Sequence, residues 1–222
     1  MSGRLLRWLL LGVLGGVALG VATGAGERSR AAAVTPYRDL RYEGVIAQTD
    51  WYTCGPAAAA TLLRYYIGLD VDESDVLEAA AAAAAAGGLD ASAGVSALAL
   101  VRSLGAFGVP AQGYRLTPKA LADYFRRGGL PVIAHATRPR QHYVVVVGLV
   151  GDFALVADPS WGRRVERWVD FAADKGFSGV VLVPVPEAGL AAAAADAQRL
   201  ALEGAARDLR RLDRLGAEVG RP

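Results

Sequence analysis

HYVVVVGLVGDFALVAD, residues 142–158, decides how this chain folds. It holds two apolar runs, His142 to Gly148 and Phe153 to Ala157, separated by the turn signal Gly151-Asp152 and followed by Pro159. Four consecutive valines suit a strand buried on both sides, and a proline stops the second run because it brings no N–H to a ladder. The stretch reads as an antiparallel hairpin with its loop centred near Val150. Residues equidistant from that centre oppose each other, which makes His142 and Asp158 cross-strand neighbours. A carboxylate in that place fixes the tautomer of an imidazole and steadies the imidazolium.

Working outward, a proton-accepting histidine needs a nucleophile to serve, and the chain has one cysteine, Cys54, within QTDWYTCGP, residues 48–56. Pro56 marks the first turn of a helix, where its missing N–H wastes no hydrogen bond, and Ala57 to Tyr66 continue as good helix formers. Cys54 therefore sits where unpaired amides and partial positive charge favour a thiolate. Gly55 reads as an opening for a substrate backbone to approach the sulfur. A free cysteine alone is more often a small buried hydrophobe, and a histidine alone a satisfied core residue. Cys54, His142 and Asp158 together form a candidate triad split between a helix and a sheet.

The remaining elements sort into helices before the hairpin and strands around it. Asp72, Glu73 and Asp75 start a helix that runs through the alanines to Ala86 and stops at Gly87-Gly88. Gly94 to Phe107 forms a third helix, and Thr117-Pro118 caps a short one through Arg127. Strands are expected at Ala111 to Leu116, Pro131 to Ala136, Arg163 to Trp168 and Gly179 to Val183, besides the hairpin. Helices packed on one antiparallel sheet make an α+β fold. The second histidine, His135, lies on the strand before the hairpin and reads as structural or cleft-lining. Two histidines without a carboxylate cluster or a further cysteine make no zinc site, and neither metal nor cofactor is expected. Trp51, Tyr52 and Trp161 flank the expected site in sequence and read equally as lining its subsites or as core packing.

Four stretches, QTDWYTCGPAAAATLLRYY, GVSALALVRSLGAFGVPAQGYRL, GLPVIAHATRPRQHYVVVVG and ALVADPSWG, resemble the bacteriocin-processing, double-glycine cysteine peptidase family. The resemblance covers roughly Tyr42 to Val185. It implies a papain-like fold, with Cys54 as nucleophile, His142 as general base and acid, Asp158 orienting the imidazole, and Gln48 donating its side-chain amide to the oxyanion. The chemistry asks for that last role, because attack on a peptide carbonyl places negative charge on its oxygen. Gln48 and the Cys54 N–H would supply two donors. The chain departs from the exporter-borne members in carrying Thr53 before the cysteine, where Asp is frequent, so substrate detail does not transfer. The implied activity is an endopeptidase acting on peptide leaders, with a glycine-pair preference resting on the resemblance alone. A peptide-binding module without catalysis, or another acyl transfer through the same triad, such as amide hydrolysis, is the alternative.

The ends of the chain set the surroundings. Arg4 and Arg7 precede 19 uncharged residues, Trp8 to Gly26. That length suits either a long signal peptide or a single membrane span. Gly12, Gly16, Gly20 and Gly24 would line one helix face with small side chains. An uncut anchor is the favoured reading, because Glu27-Arg28-Ser29-Arg30 suits a membrane boundary better than a cleavage site. Either way the domain is sent across the membrane, to the cell envelope, where a peptide or protein substrate and a peptide exporter are the expected partners. Formal charge is +2, from 24 basic and 22 acidic side chains, and no basic stripe interleaves with aromatics, which argues against nucleic acid. The organisation is thus an anchor and linker over 1–36, one peptidase domain over 37–186, and a charged Ala/Arg/Leu-rich tail over 187–222. In the tail, Leu202, Leu209, Leu212 and Val219 suggest one apolar edge on a charged helix, which is either a docking helix or a partly disordered tail.

Overall fold

The computed structural model describes residues 35–88 and 94–219. The expected membrane segment, Trp8 to Gly26, lies outside the described residues, as does the first part of the linker. Among the described residues no helix is long and apolar enough to cross a membrane. A short helix α1 (Tyr37–Arg41) precedes α2 (Cys54–Leu62), α3 (Glu73–Ala86) and α4 (Ala97–Ala106). Then follow β1 (Ala111–Arg115), α5 (Pro118–Arg126), β2 (Val132–Ala136), β3 (His142–Val150) and β4 (Phe153–Asp158). The chain closes with β5 (Gly162–Arg167), α6 (Trp168–Ala173), β6 (Phe177–Pro184) and α7 (Ala188–Val219). The six strands form one antiparallel sheet in the order β1-β6-β2-β3-β4-β5. The α+β reading holds.

Local chemistry explains most boundaries. Asp72 accepts hydrogen bonds from the Ser74 and Asp75 amides at 2.9 and 3.2 Å, and the Asp75 carboxylate accepts from the Asp72 N–H, a capping box at the foot of α3. Thr117 caps α5 through the Ala120 amide at 3.1 Å, with Pro118 in the first turn. The helix expected to reach Tyr66 departs from α geometry after Leu62 and continues as a π-helical turn, Leu63–Ile67, closed at Gly68. The extra residue in that turn buries Tyr66 and leaves Tyr65 exposed. All nine residues of α2 are buried, and its alanines let the helix lie close to β3 and β4 within one core that includes Val145, Val147 and Ala157. Larger side chains there would force the two layers apart at about 1–3 kcal/mol each.

Two features differ from the sequence reading, and a third decides between its alternatives. The sheet is covered on both faces: α6 begins at Trp168, which was read as strand, and Phe171 joins Leu121 of α5 over Val144, Val146, Ala154 and Val156. Second, the hairpin turn is Gly151-Asp152 between Val150 and Phe153, and β3 carries a bulge between Val146 and Gly148. Val145 faces Ala157, so continuing the register places Asp158 opposite Val144, and His142 is its diagonal rather than its direct neighbour. Third, the tail docks. Gln198 of α7 is buried and its amide donates to the carbonyl of Val147, at the bulge, at 2.6 Å, and to that of Gly129 at 2.9 Å. Ala194, Ala205 and Leu202 pack into the main core, so of the apolar edge read through Leu202, Leu209, Leu212 and Val219 the first member docks, whereas Leu212 is exposed.

Candidate active site

Cys54 is the first residue of α2 and is buried. Burial alone would raise its thiol pKa, but a hydrogen bond with His142, the backbone N–H of Tyr143, the charge of His142 and the N–H of Gly55 overcome that penalty and bring it below the ordinary cysteine value. His142 opens β3. Its Nε2 lies 2.8 Å from Asp158 Oδ1, so the ring nitrogen left for the thiol is Nδ1. Burial pulls the imidazole pKa down, yet the hydrogen bonds to Asp158 and Cys54 outweigh it and push the value up to about 9. Both shifts favour thiolate facing imidazolium. The structure thus brings together the three residues singled out from sequence.

Asp158 is almost fully enclosed, with 2% of its surface exposed, and is held from four directions. Oδ1 accepts from the Ser160 and Trp161 amides at 2.9 and 3.2 Å as well as facing His142, and Oδ2 accepts from Arg164 Nη2 at 2.9 Å. Burial alone would raise this carboxyl, but His142, Arg164 and the Ser160 amide hold it below the usual range. Arg164 in turn lies 3.2 Å from Glu166 Oε1, close enough for charge attraction but without hydrogen-bond geometry. Glu166 is raised by burial, which Arg164 and Lys175 only partly offset. Arg164 and Glu166 were not singled out in the sequence; their alternation on β5, pointing to one face, was the available signal.

Gln48 lines the same cleft as His142 and Asp158. Its Oε1 accepts from Ser160 Oγ at 2.6 Å, its backbone N–H donates to Pro159 at 3.0 Å, and its Nε2 donates to the Asp50 carbonyl at 2.7 Å. A primary amide carries two N–H donors, so one remains for another acceptor. The next residue, Thr49, donates its backbone N–H to both oxygens of Glu73 on α3, at 3.0 and 3.1 Å, which pins this loop to the helical layer. On the far side Arg41 of α1 stacks on Trp161 and donates to its carbonyl, and Tyr42 Oη donates to Ser160 O at 2.8 Å. Gly162 ends this turn at φ +80°, and a Cβ there would meet the Arg41 carbonyl oxygen at 2.3 Å, so only glycine fits.

The reading of Gly55 is corrected. A Cβ at that position would meet Leu100 Cδ1 at 2.9 Å and Tyr143 Cδ2 at 3.3 Å, so Gly55 lets α2 pack against α4 and β3 rather than opening the sulfur to substrate. Trp51 and Trp161 line the cleft and are exposed, while Tyr52 lines a separate apolar groove with Leu77 and Val95. His135 is half-buried, its Nδ1 3.0 Å from Ser178 Oγ and its ring 4.8 Å from that of Tyr143. It has no carboxylate partner among the described residues. Nor do three or more His, Cys, Asp or Glu side chains gather as metal ligands among them.

A cysteine on a helix start facing a histidine on a strand, across the junction of a helical layer and an antiparallel sheet, defines a papain-like cysteine peptidase. The chain belongs to the peptidase C39 family, whose sequence pattern matches residues 43–189. It is 31% identical over 155 residues to the probable functional amyloid protease FapD of Pseudomonas fluorescens, covering 69% of this chain and 66% of that protein. It thus spans just under two thirds of that relative. Over 146 residues it is 30% identical to the lactococcin-G-processing and transport ATP-binding protein LagD of Lactococcus lactis, 65% of this chain but 19% of that protein. Among solved structures, a double glycine motif protease from an AMS/PCAT transporter, in complex with the leader peptide, superposes with a TM-score of 0.52 at 28% identity, over 71% of this chain and 96% of that one.

Proposed function

We propose that this protein is a membrane-tethered endopeptidase that removes leaders from peptides in the cell envelope, cutting after a pair of small residues such as Gly-Gly. The carrying observation is the 2.8 Å contact of His142 with Asp158, made while the same ring hydrogen-bonds the Cys54 thiol. In this reading the Cys54 thiolate attacks the scissile carbonyl carbon, and the electron pair of the C=O bond moves onto oxygen. The Cys54 N–H and the second N–H of Gln48 receive that oxyanion. Collapse breaks the C–N bond, His142 gives its proton to the departing amine, and a thioester remains on Cys54. Water, deprotonated by His142, then attacks the thioester and releases the acid, with the proton returning to restore the pair.

The leader substrate and the exporter as partner are supported by the transporter-borne relative with its leader peptide and by LagD. The tether is supported by the apolar stretch from Trp8 to Gly26 and the charged segment Glu27-Arg28-Ser29-Arg30 directly after it, and the envelope location by Arg4 and Arg7 ahead of that stretch. The test compares protein N-termini in cells producing the wild type or Cys54→Ala. New N-termini after glycine pairs should vanish in the variant, and identical N-terminal profiles would refute the proposal. A companion variant, Gln48→Ala, should lower kcat by about a hundredfold with little change in Tm; a wild-type kcat would remove Gln48 from the oxyanion role.

A further inference from the structure

A cavity of about 400 Å³ opens beside His142, walled by Trp51 and Trp161 and rimmed by Arg138, Arg140 and Lys175. Its charge is one-sided. Among the described residues Asp158 is the only carboxylate that lines it, and both of its oxygens are already engaged by His142, Arg164 and two backbone amides. Arg138, Arg140 and Lys175 make no ion pair among the described residues. Glu166, Asp170 and Asp174 do not line the cavity.

The rim is also held in place. The Thr137 and Arg138 amides donate to the Lys175 carbonyl at 3.1 and 3.0 Å, and Thr137 Oγ1 donates to the Gly176 carbonyl at 2.9 Å. Arg138 Nη1 donates to the Ala173 carbonyl, at the end of α6, at 3.1 Å. The strand end bearing Arg138 is therefore tied to the turn bearing Lys175, and the Arg138 guanidinium is already ordered before anything binds.

Chemistry gives the cavity its direction. The imidazole that protonates the departing amine must lie on the side of the scissile bond from which the C-terminal fragment leaves. A cavity bounded by His142 and by no part of Cys54 therefore receives residues after the cut. We infer that it is a subsite for a carboxylate carried by the substrate within a few residues C-terminal to the scissile bond. The inference rests on the endopeptidase reading. The carboxylate belongs either to an Asp or Glu side chain or to the chain end of a short fragment; guanidinium and ammonium groups bind both by charge-assisted hydrogen bonds.

The test uses the full-length protein carrying Cys54→Ala and fluorescent peptides with Gly-Gly followed by four residues. Asp and Asn are exchanged at each of the four positions in turn, and every peptide is made as amide and as free acid. At one position Asp should bind about tenfold or more tightly than Asn, with the preference shrinking as salt is added. Arg140→Gln should weaken the preference, and Arg138→Glu with Lys175→Glu should reverse it. Preference for free acids alone would assign the subsite to the chain end. Equal binding of all twins, or an acidic preference that survives charge reversal, would overturn the inference. Wild-type turnover separates the two proposals. Cleavage of Asp and Asn peptides at equal kcat/KM would sink the subsite and keep the endopeptidase, whereas tight binding of Asp peptides that are never cut would do the opposite.

Discussion

The two histidines sit on neighbouring strands, one residue apart in register, and differ in almost everything that matters. His135 pairs with Tyr143 and His142 with Ala136, so their side chains leave opposite faces of the sheet. Both are partly buried, and burial pulls both imidazoles down. His135 meets a neutral hydroxyl, feels the charge of His142, and stays below its ordinary value. His142 meets a carboxylate and a thiol and rises to about 9. Burial does not make a base. What makes one is a charged partner within hydrogen-bond reach, at the strand end beside the nucleophile.

The largest effect should come from exchanging the two. His142→Ala should lower kcat/KM for a cleavable peptide by about a thousandfold, while His135→Ala should stay within about threefold. Comparable losses in both variants would break the comparison. Asp158→Asn comes next, at about a hundredfold or more, because the imidazole loses both its orientation and its counter-charge. Its pH profile sharpens the point. In the wild type the alkaline limb should fall near pH 9, where His142 loses its proton, and in Asp158→Asn the limb should move toward the ordinary imidazole range. Stability offers a second readout with the same sign. A raised folded pKa stabilises fully below the unfolded value, near 6.5, and that contribution is lost as pH rises through about 9. Because the lowered Cys54 thiol gives up a proton on folding and opposes this trend in the wild type, the drop in Tm should appear in Cys54→Ala, and less steeply once Asp158→Asn is added.

A smaller loss, about tenfold, is expected for Arg164→Gln. Removing a cation beside Asp158 leaves more negative potential on His142 and Cys54, so both limbs of the pH profile should move to higher pH. A role confined to packing would lower Tm and leave the limbs in place. Smallest of all, Ser178→Ala removes the hydroxyl facing His135 and should leave kcat/KM within about twofold. A larger loss would bring His135 into the mechanism.

Much of the site was legible because its elements carry local signals. Pro56 marks the start of the Cys54 helix, Asp158-Pro159 ends a strand, and an aspartate box opens α3, each through backbone chemistry that needs no distant partner. The bulge was not legible. Without it, the register set at the turn would place Asp158 opposite Val145, on the face away from His142; the extra residue at Val147 restores the match. Its carbonyl is met by Gln198 from α7, in the tail beyond the matched family region.

By itself, then, the amino-acid sequence determined the α+β class, the helix bearing Cys54 and the strands bearing His142 and Asp158, because capping, periodicity and proline act over a few residues. The tertiary structure alone decided that β6 inserts between β1 and β2, that α6 closes the second face, and that Gly55 answers to Leu100. It also decided that Arg138, Arg140 and Lys175 meet at one cavity. These depend on contacts between residues far apart in the chain, where many pairings satisfy the same local preferences and only close packing of the whole domain selects one.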